Sequence, residues 1–173
     1  EFWGEIKSFK ERGKFYFNFK RQQKCFNNAE GIIFLSNYAK KHITKVLDLK
    51  NKTSMIIHHG ISNKFISSKS VIKTLKSYTE KAPFRFLYIS TIHVYKNQWN
   101  VVEAVSKLRI KGYPVQLTLI GDIIYKPSGN LLNKAIKNAD PNDEFIEHIL
   151  NVPHNEILEF YQNHDGIIFA SSC

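Results

Sequence analysis

Apolar residues after position 83 follow two alternating patterns. Short runs of Val, Ile, Leu and Phe without polar alternation predict buried strands of a parallel sheet, and longer stretches with apolar residues three or four apart predict helices. The predicted strands are 86–89, 115–120, 145–149 and 166–170, and the predicted helices are 96–110, 131–138 and 156–163. Strands that alternate with helices predict an α/β fold with doubly wound, Rossmann-like parallel sheets.

The pattern is less regular in the first part of the chain. Apolar residues spaced for two basic helices, interrupted at Gly13, extend to about residue 28, although the "FYFNF" at 15–19 also alternates like a strand. A strand at 31–36, a helix at 37–48 with Ser36 as its N-cap, and a strand at 53–60 follow.

A change in composition separates these two parts of the chain. The stretch from residue 62 is rich in Ser and Lys and has weak periodicity, which is typical of a linker. We therefore expect one domain at 1–65, a linker at 66–83 and a second domain at 84–173. Because the sequence begins without Met and ends within a strand pattern, we expect a fragment that is incomplete at both ends.

The composition is that of a globular protein, with 43% apolar and 13% aromatic residues. No apolar stretch approaches the roughly 20 residues of a membrane-spanning helix, and no signal peptide opens the sequence, so we expect a cytoplasmic location. Cys25 and Cys173 form neither a disulfide framework nor a metal-ligand spacing. His58 and His59 lack a third ligand at useful spacing, and neighbours on a strand face opposite ways. We therefore predict no metal site.

The net charge of +10 is concentrated in the first half. Residues 1–83 carry 17 Lys and Arg against 6 Asp and Glu, whereas residues 84–173 carry 8 against 9. A basic first half suggests an anionic partner, either nucleic acid or an acidic membrane surface. The sequence shows no RNP, KH, zinc-finger or Walker motif, so we expect that the protein binds no nucleic acid. A basic nucleic-acid-binding module remains the alternative function.

Two loops follow predicted strands in the second half and suggest a ligand site. Parallel sheets bind ligands beyond the carboxyl ends of their strands, where helices begin and offer free N–H groups to a phosphate. The loop at 90–95 precedes a predicted helix start with Lys96, and Gly121 and Asp122 close the next strand. We predict a phosphate-bearing ligand there, with a solvated lysine and an ordinary turn as the alternative.

Five segments, in order, resemble the retaining glycosyltransferases of family 4, which have the two-domain GT-B fold. The segments are "AEGIIFLSNYAKKHI" (29–43), "MIIHHGISNKF" (55–65), "FLYISTIHVYKNQWNVVEAV" (86–105), "QLTLIGD" (116–122) and "VPHNEILEFYQNHDGIIFASSC" (152–173). The resemblance implies that residues 1–65 end an acceptor-side domain and that residues 84–173 begin a domain that binds a nucleotide sugar.

The resemblance also implies roles for individual residues. The family's lysine, which grips the donor diphosphate, matches Lys96, whereas its preceding Gly-Arg pair is replaced by Ser90 and Thr91. Thr91 brings no charge, so neutralisation of the diphosphate must differ. Gly121 and Asp122 match the second strand end, and Ser171 lies in the last segment. The resemblance implies that the donor diphosphate and nucleotide are bound by Ser90, Thr91, Lys96, Gly121, Asp122 and Ser171.

The family's catalytic pair of glutamates would fall beyond Cys173, so the resemblance implies a partial donor site that is inactive alone. It implies transfer from a nucleotide-diphosphate sugar to a glycan or lipid-linked acceptor in surface polysaccharide synthesis, without cofactor or metal ion. An anionic membrane surface is expected to meet residues 1–24, with Trp3 or the phenylalanines at the interface and these cations near the headgroups: Lys7, Lys10, Lys14, Lys20, Arg21 and Lys24. A catalytically degenerate relative remains an alternative.

Overall fold

The computed structural model describes residues 9–47, 49, 52–66 and 73–172, and it describes their side chains except those of residues 9–12 and 15. Contacts divide the chain into one unit up to Ser62 and a second from Asn63. The bounds expected for the two domains and their linker stay a prediction. Phe2, Trp3, Ile6, Lys7 and Cys173 lie outside the described residues, as does the side chain of Lys10.

The first unit opens with one long helix, α1 (Phe9–Asn28). The prediction of two helices interrupted at Gly13 was therefore wrong. A glycine inside a helix lowers the helix's stability by only about 1 kcal/mol relative to alanine, and the helical residues on either side more than compensate for this loss. On the inner side of α1, Phe19 and Phe26 line an apolar cavity of about 240 Å³ together with Ile43 and Val46.

A small parallel sheet completes the first unit. Strand β1 (Gly31–Phe34) pairs with β2 (Thr53–Ile56) in parallel, and α2 (Asn37–Val46) connects them. The predicted N-cap is confirmed, because the Ser36 hydroxyl accepts a hydrogen bond from the Ala39 N–H at 3.0 Å. Both strands are shorter than predicted. Residues 57–60 after β2 belong to no strand, although the N–H of Ile57 still donates to Phe34 O at 2.9 Å.

The second unit is built on a four-stranded parallel sheet with the order β5-β4-β3-β6. The strands are β3 (Phe84–Ile89), β4 (Val115–Ile120), β5 (Ile146–Ile149) and β6 (Gly166–Ile167). The predicted parallel sheet is confirmed. The chain moves outward from β3 through β4 to β5 and then returns to pair β6 with the other side of β3. The order of strands therefore reverses between β3 and β6, which makes this the topological switch point where such sheets bind ligands.

Three helices connect these strands, namely α3 (Gln98–Ile110), α4 (Lys126–Ala139) and α5 (Ile157–Asn163). Helix α4 begins five residues before the predicted start, because Pro127 lies in its first turn, where a missing N–H costs nothing. Apolar side chains of the strands pack with α3 and α4 into one core, which includes Tyr88, Ile92, Val102, Leu117, Leu119 and Leu132.

A buried aspartate shapes the turn between α4 and β5. Asp140 is 2% exposed, and its carboxylate accepts hydrogen bonds from the backbone N–H groups of Glu144 (2.8 Å), Phe145 (2.7 Å) and Ile146 (2.7 Å). These N–H groups approach β5, where they would otherwise lack partners. The carboxylate of Asp140 thus fixes the backbone at the point where β5 begins.

A second aspartate holds the start of β3. Asp165 accepts hydrogen bonds from the backbone N–H of Arg85 (3.0 Å) and the hydroxyl of Tyr78 (3.1 Å), and Lys73 lies 3.5 Å away. Burial alone would raise the pKa of Asp165, but these hydrogen bonds and the Lys73 charge lower it below its ordinary 3.8. Partial burial and the neighbouring carboxylate raise the pKa of Tyr78.

No helix within the described ranges is both long and apolar enough to cross a membrane.

Candidate functional site

The carboxyl ends of β3, β4 and β6 lie at one edge of the parallel sheet. The residues that follow them, 90–97, 121–125 and 168–172, are defined here as the strand-end site. The ladder between β3 and β4 runs in register to Ile89 and Ile120 and is followed by an isolated parallel bridge between Ile92 and Ile123. The predicted loops after β3 and β4 are therefore neighbours, as the parallel pairing requires.

Gly121, in the loop after β4, lies against the main chain of the loop after β3. It has a φ of +149°, and a Cβ at this position would lie 2.1 Å from the carbonyl oxygen of Ser90. Its N–H donates to Ile149 O at 2.9 Å, and its carbonyl lies 3.0 Å from Nε2 of His148. Only glycine satisfies both the backbone conformation and the contact.

Two buried residues, Ile92 and Gln98, fix the main chain of the loop after β3. Ile92 is fully buried, and its N–H donates to Asp122 O at 2.8 Å. Gln98, 1% exposed, donates from Nε2 to Thr91 O at 2.9 Å. These contacts leave the side chain of Thr91 exposed while its main chain is held in place.

Lys96 ends a short 3₁₀ turn, Val94–Lys96, and does not begin the helix as predicted. Asn97 follows in the left-handed region (φ 55°, ψ 29°), a conformation that Asn tolerates better than most residues, and α3 begins at Gln98. The side chain of Asn97 caps no N–H of α3, because its amide donates to Ala170 O at 2.9 Å instead. The lysine therefore precedes the helix start by two residues.

The ammonium of Lys96 lies over two aromatic rings. Its Nζ is 5.0 Å from the ring centroid of Tyr95 and 4.9 Å from that of Phe169. Both distances are within the range of cation–π attraction. Within the described part of the chain, the ion pairs are Lys73–Asp165 and Arg109–Glu80, so no carboxylate there neutralises Lys96. Its charge is available to an anionic ligand.

Residues after β6 form hydrogen bonds with the turn that contains Lys96. The N–H of Ser172 donates to Tyr95 O at 2.9 Å, which adds to the bond between Asn97 and Ala170. From within the sheet, the hydroxyl of Tyr88 donates to Lys96 O at 2.6 Å, and burial raises the pKa of this phenol. Ser171 lies in the same segment and is half-buried.

The loop after β4 adds an aromatic surface and one negative charge. The ring of His93 stacks on that of Tyr125, with centroids 5.6 Å apart and planes at 27°, and it lies 4.7 Å from the ring of Tyr95. Asp122 has an exposed side chain and contributes its carbonyl to the bond with Ile92. The site thus combines aromatic faces with one lysine and one aspartate.

A second polar cavity, beside β5, is lined by acidic side chains. This cavity has a volume of about 420 Å³, and its carboxylates, from Asp143, Glu144 and Glu147, disfavour an anionic ligand. Within the described ranges, no group of three or more His, Cys, Asp or Glu side chains is placed to hold a metal ion. His58 uses Nδ1 in a 3.0 Å hydrogen bond with Leu35 O.

The structure brings the sequence-predicted positions to one edge of the sheet: Ser90, Thr91, Lys96, Gly121, Asp122 and Ser171 all lie in the strand-end site. Their part in donor binding stays a prediction. Sequence reasoning missed Gln98 and Phe169. Nothing local marks Phe169, since only the pairing of β6 with β3 places it beside Lys96.

The fold is shared with known glycosyltransferases. A glycosyltransferase from Rickettsia africae ESF-5 superposes with a TM-score of 0.64 at 23% identity, over 86% of this chain and 41% of that one. HepE from Anabaena, crystallised with UDP and glucose, gives 0.64 at 16% identity, over 84% and 39%. WaaG, a glycosyltransferase involved in lipopolysaccharide biosynthesis, gives 0.57 at 15% identity, over 81% and 38%.

These likenesses define an α/β fold of GT-B type, as predicted, and the chain spans about two fifths of each of these proteins. No protein-family model matches the sequence, and no curated protein sequence matches it either.

Proposed function

We propose that the strand-end site binds the diphosphate of a nucleotide sugar and that the chain is the donor-binding part of a glycosyltransferase. The observation that carries this proposal is the uncompensated ammonium of Lys96 at the switch point between β3 and β6. A lysine that served only the fold would be expected to pair with a carboxylate or to extend into solvent. The ammonium of Lys96 instead lies over the rings of Tyr95 and Phe169.

The backbone of the site favours the same ligand. The glycine at position 121 lets a ligand approach the main chain closely, and the side-chain amide of Asn97 leaves the first N–H groups of α3 without a side-chain cap. Such N–H groups and a nearby cation suit a phosphate. Because Thr91 is uncharged, the neutralisation of the diphosphate falls mainly on Lys96.

The solved structures support the class of donor. The Anabaena protein with the same fold holds UDP and glucose. We therefore take a uridine diphosphate sugar as the first donor to test. Other nucleoside diphosphates remain open to the same chemistry.

The reaction we propose is glycosyl transfer with retention. The bond between the anomeric carbon and the diphosphate oxygen breaks, and the acceptor hydroxyl forms its bond on the same face of the sugar. Lys96 and the backbone N–H groups would stabilise the negative charge of the leaving diphosphate, and the proposal requires no metal ion. Within this reaction, the role that we assign to the strand-end site is binding of the donor diphosphate.

A glycan or lipid-linked acceptor, used in surface polysaccharide synthesis, completes the proposal. One of the proteins with this fold acts in lipopolysaccharide biosynthesis, which supports an acceptor of this kind.

The outer face of α1 favours a peripheral membrane location on the cytoplasmic side. Phe17 is 69% exposed, and Lys14, Arg21 and Lys24 lie on its side of the helix at spacings of three, four and seven residues, with Lys20 beside them. Phe19 and Phe26 lie on the opposite side. An exposed aromatic ring among cations is suited to the interface of an anionic bilayer.

The test of donor binding compares UDP with uridine at low ionic strength. Lys96→Gln should weaken UDP binding about tenfold, which is the loss expected for one charge-assisted contact, and leave uridine binding unchanged. Lys107→Gln removes a charge from an exposed position of α3 and is the matched control. Equal UDP affinity in wild type and Lys96→Gln would overturn the proposal.

A further inference from the structure

Phe169 is a large apolar residue whose side chain is mostly exposed to solvent. It follows β6 and is 68% exposed, so it is no part of the hydrophobic core. Its ring nevertheless lies 4.9 Å from the Nζ of Lys96, a residue 73 positions earlier in the chain. The contact exists only because β6 returns to pair with β3.

The main chain fixes both partners of this contact. The N–H of Ile168 donates to Leu87 O at 2.8 Å, and Ala170 O accepts from Asn97 at 2.9 Å, so the residues on both sides of Phe169 are tied to β3 or to the loop after it. Lys96 is tied through its own carbonyl, which accepts from Tyr88 at 2.6 Å. The main chain therefore holds the ring and the lysine backbone at a set separation, and the ring of Phe169 also lies 6.3 Å from that of the buried Tyr88.

An ammonium held over a ring has fewer conformations to lose when an anion binds. A free lysine side chain has four rotatable bonds, and ordering them on binding reduces the affinity. A cation over a ring face still has N–H groups directed away from the ring, which remain available to a phosphate oxygen. The pair thus presents a preorganised positive charge at the switch point.

We propose that Phe169 is a positioning residue for the donor diphosphate, acting through Lys96. This inference rests on the proposed function of the strand-end site. Tyr95 supplies the second ring face, but it neighbours Lys96 in sequence, whereas Phe169 couples the lysine to the far side of the switch point. The role requires an aromatic face at position 169 and not merely an apolar side chain.

The test is a double-mutant cycle between positions 169 and 96, measured as UDP affinity on the 173-residue chain by isothermal titration calorimetry. Phe169→Leu should weaken UDP binding about threefold, which corresponds to the attraction expected at an exposed cation–π contact. Phe169→Tyr keeps the ring face and should retain the wild-type affinity. In the Lys96→Gln background, Phe169→Leu should change nothing further.

Ile167 offers a matched control, because it is 64% exposed and stands two residues earlier on the same segment. Ile167→Ala should leave UDP affinity unchanged. Thermal unfolding of Phe169→Leu should lie close to that of wild type, since the ring is 68% exposed and leucine keeps an apolar side chain beside Tyr88. If Lys96→Gln weakens UDP binding and Phe169→Leu does not, or if Phe169→Leu has its full effect in the Lys96→Gln background, the role of Phe169 is overturned. If Lys96→Gln itself has no effect, the proposed function fails as well.

Discussion

Gly121 lies so close to the main chain of Ser90 that a Cβ at position 121 would be 2.1 Å from the Ser90 carbonyl oxygen. The two residues end neighbouring parallel strands, and their contact brings two loops of the strand-end site together. A side chain here would separate the loops or strain the backbone.

Gly121→Ala is therefore expected to lower the free energy of unfolding by about 1–3 kcal/mol, since it adds both a clash and an unfavourable φ. Urea denaturation measures the change. Gly60→Ala is the control, because a Cβ at position 60 meets no atom within 4 Å. Equal losses in the two variants would contradict the contact between Gly121 and Ser90.

Asp140→Ala should destabilise the second unit by about 2–4 kcal/mol, because three backbone N–H groups lose their shared acceptor near the start of β5. Hydrogen exchange should then quicken at Phe145 and Ile146. The exposed Asn142→Ala is the control and should cost less than about 0.5 kcal/mol. Unchanged protection in Asp140→Ala would show that the turn holds without the carboxylate.

The stability of the second unit should fall in acid partly through Asp165. Its pKa is lowered in the folded chain below the ordinary 3.8, so its ionised form stabilises the fold above that pH. This contribution is lost as the pH falls through the lowered value, where the folded carboxylate takes up its proton. Urea midpoints at pH 5 and at pH 3 should differ less in Asp165→Asn than in wild type. The same difference in both proteins would remove Asp165 from the acid response.

Binding to anionic vesicles tests the outer face of α1. Phe17→Ala combined with Arg21→Gln should reduce co-flotation with phosphatidylglycerol vesicles several-fold, because an interfacial ring and a cation are lost together. Lys41→Gln combined with Lys45→Gln removes two exposed charges from α2 and should have a smaller effect. Equal flotation on neutral phosphatidylcholine would contradict a role for this face at anionic membranes.

The fold could be predicted largely from periodicity. In the second unit, short apolar runs such as 86–89 marked the parallel strands, and parallel pairing then placed Ser90 near Gly121. Boundaries were less predictable where local signals conflict. The predicted helix at 131–138 begins at Lys126 in the structure, where Pro127 fits the first turn of α4, and Gly129 lies against Ile123, where a Cβ would be 2.5 Å away.

The site was predictable only in part. Lys96 and Gly121 follow strand patterns and could be named from the sequence, whereas Phe169 and Gln98 depend on tertiary contacts that no local pattern encodes. The left-handed Asn97, which places Lys96 before the helix and not within it, was also missed. Residues that follow different strands become neighbours only once the order of those strands is known.

The most direct test of the central claim is an amide chemical-shift titration of the ¹⁵N-labelled chain with UDP. The account predicts saturable shifts at Thr91, Lys96 and Gly121, in the loops after β3 and β4. Saturable shifts confined to residues 143–147, beside the acidic cavity, or no saturable shift at all, would contradict it.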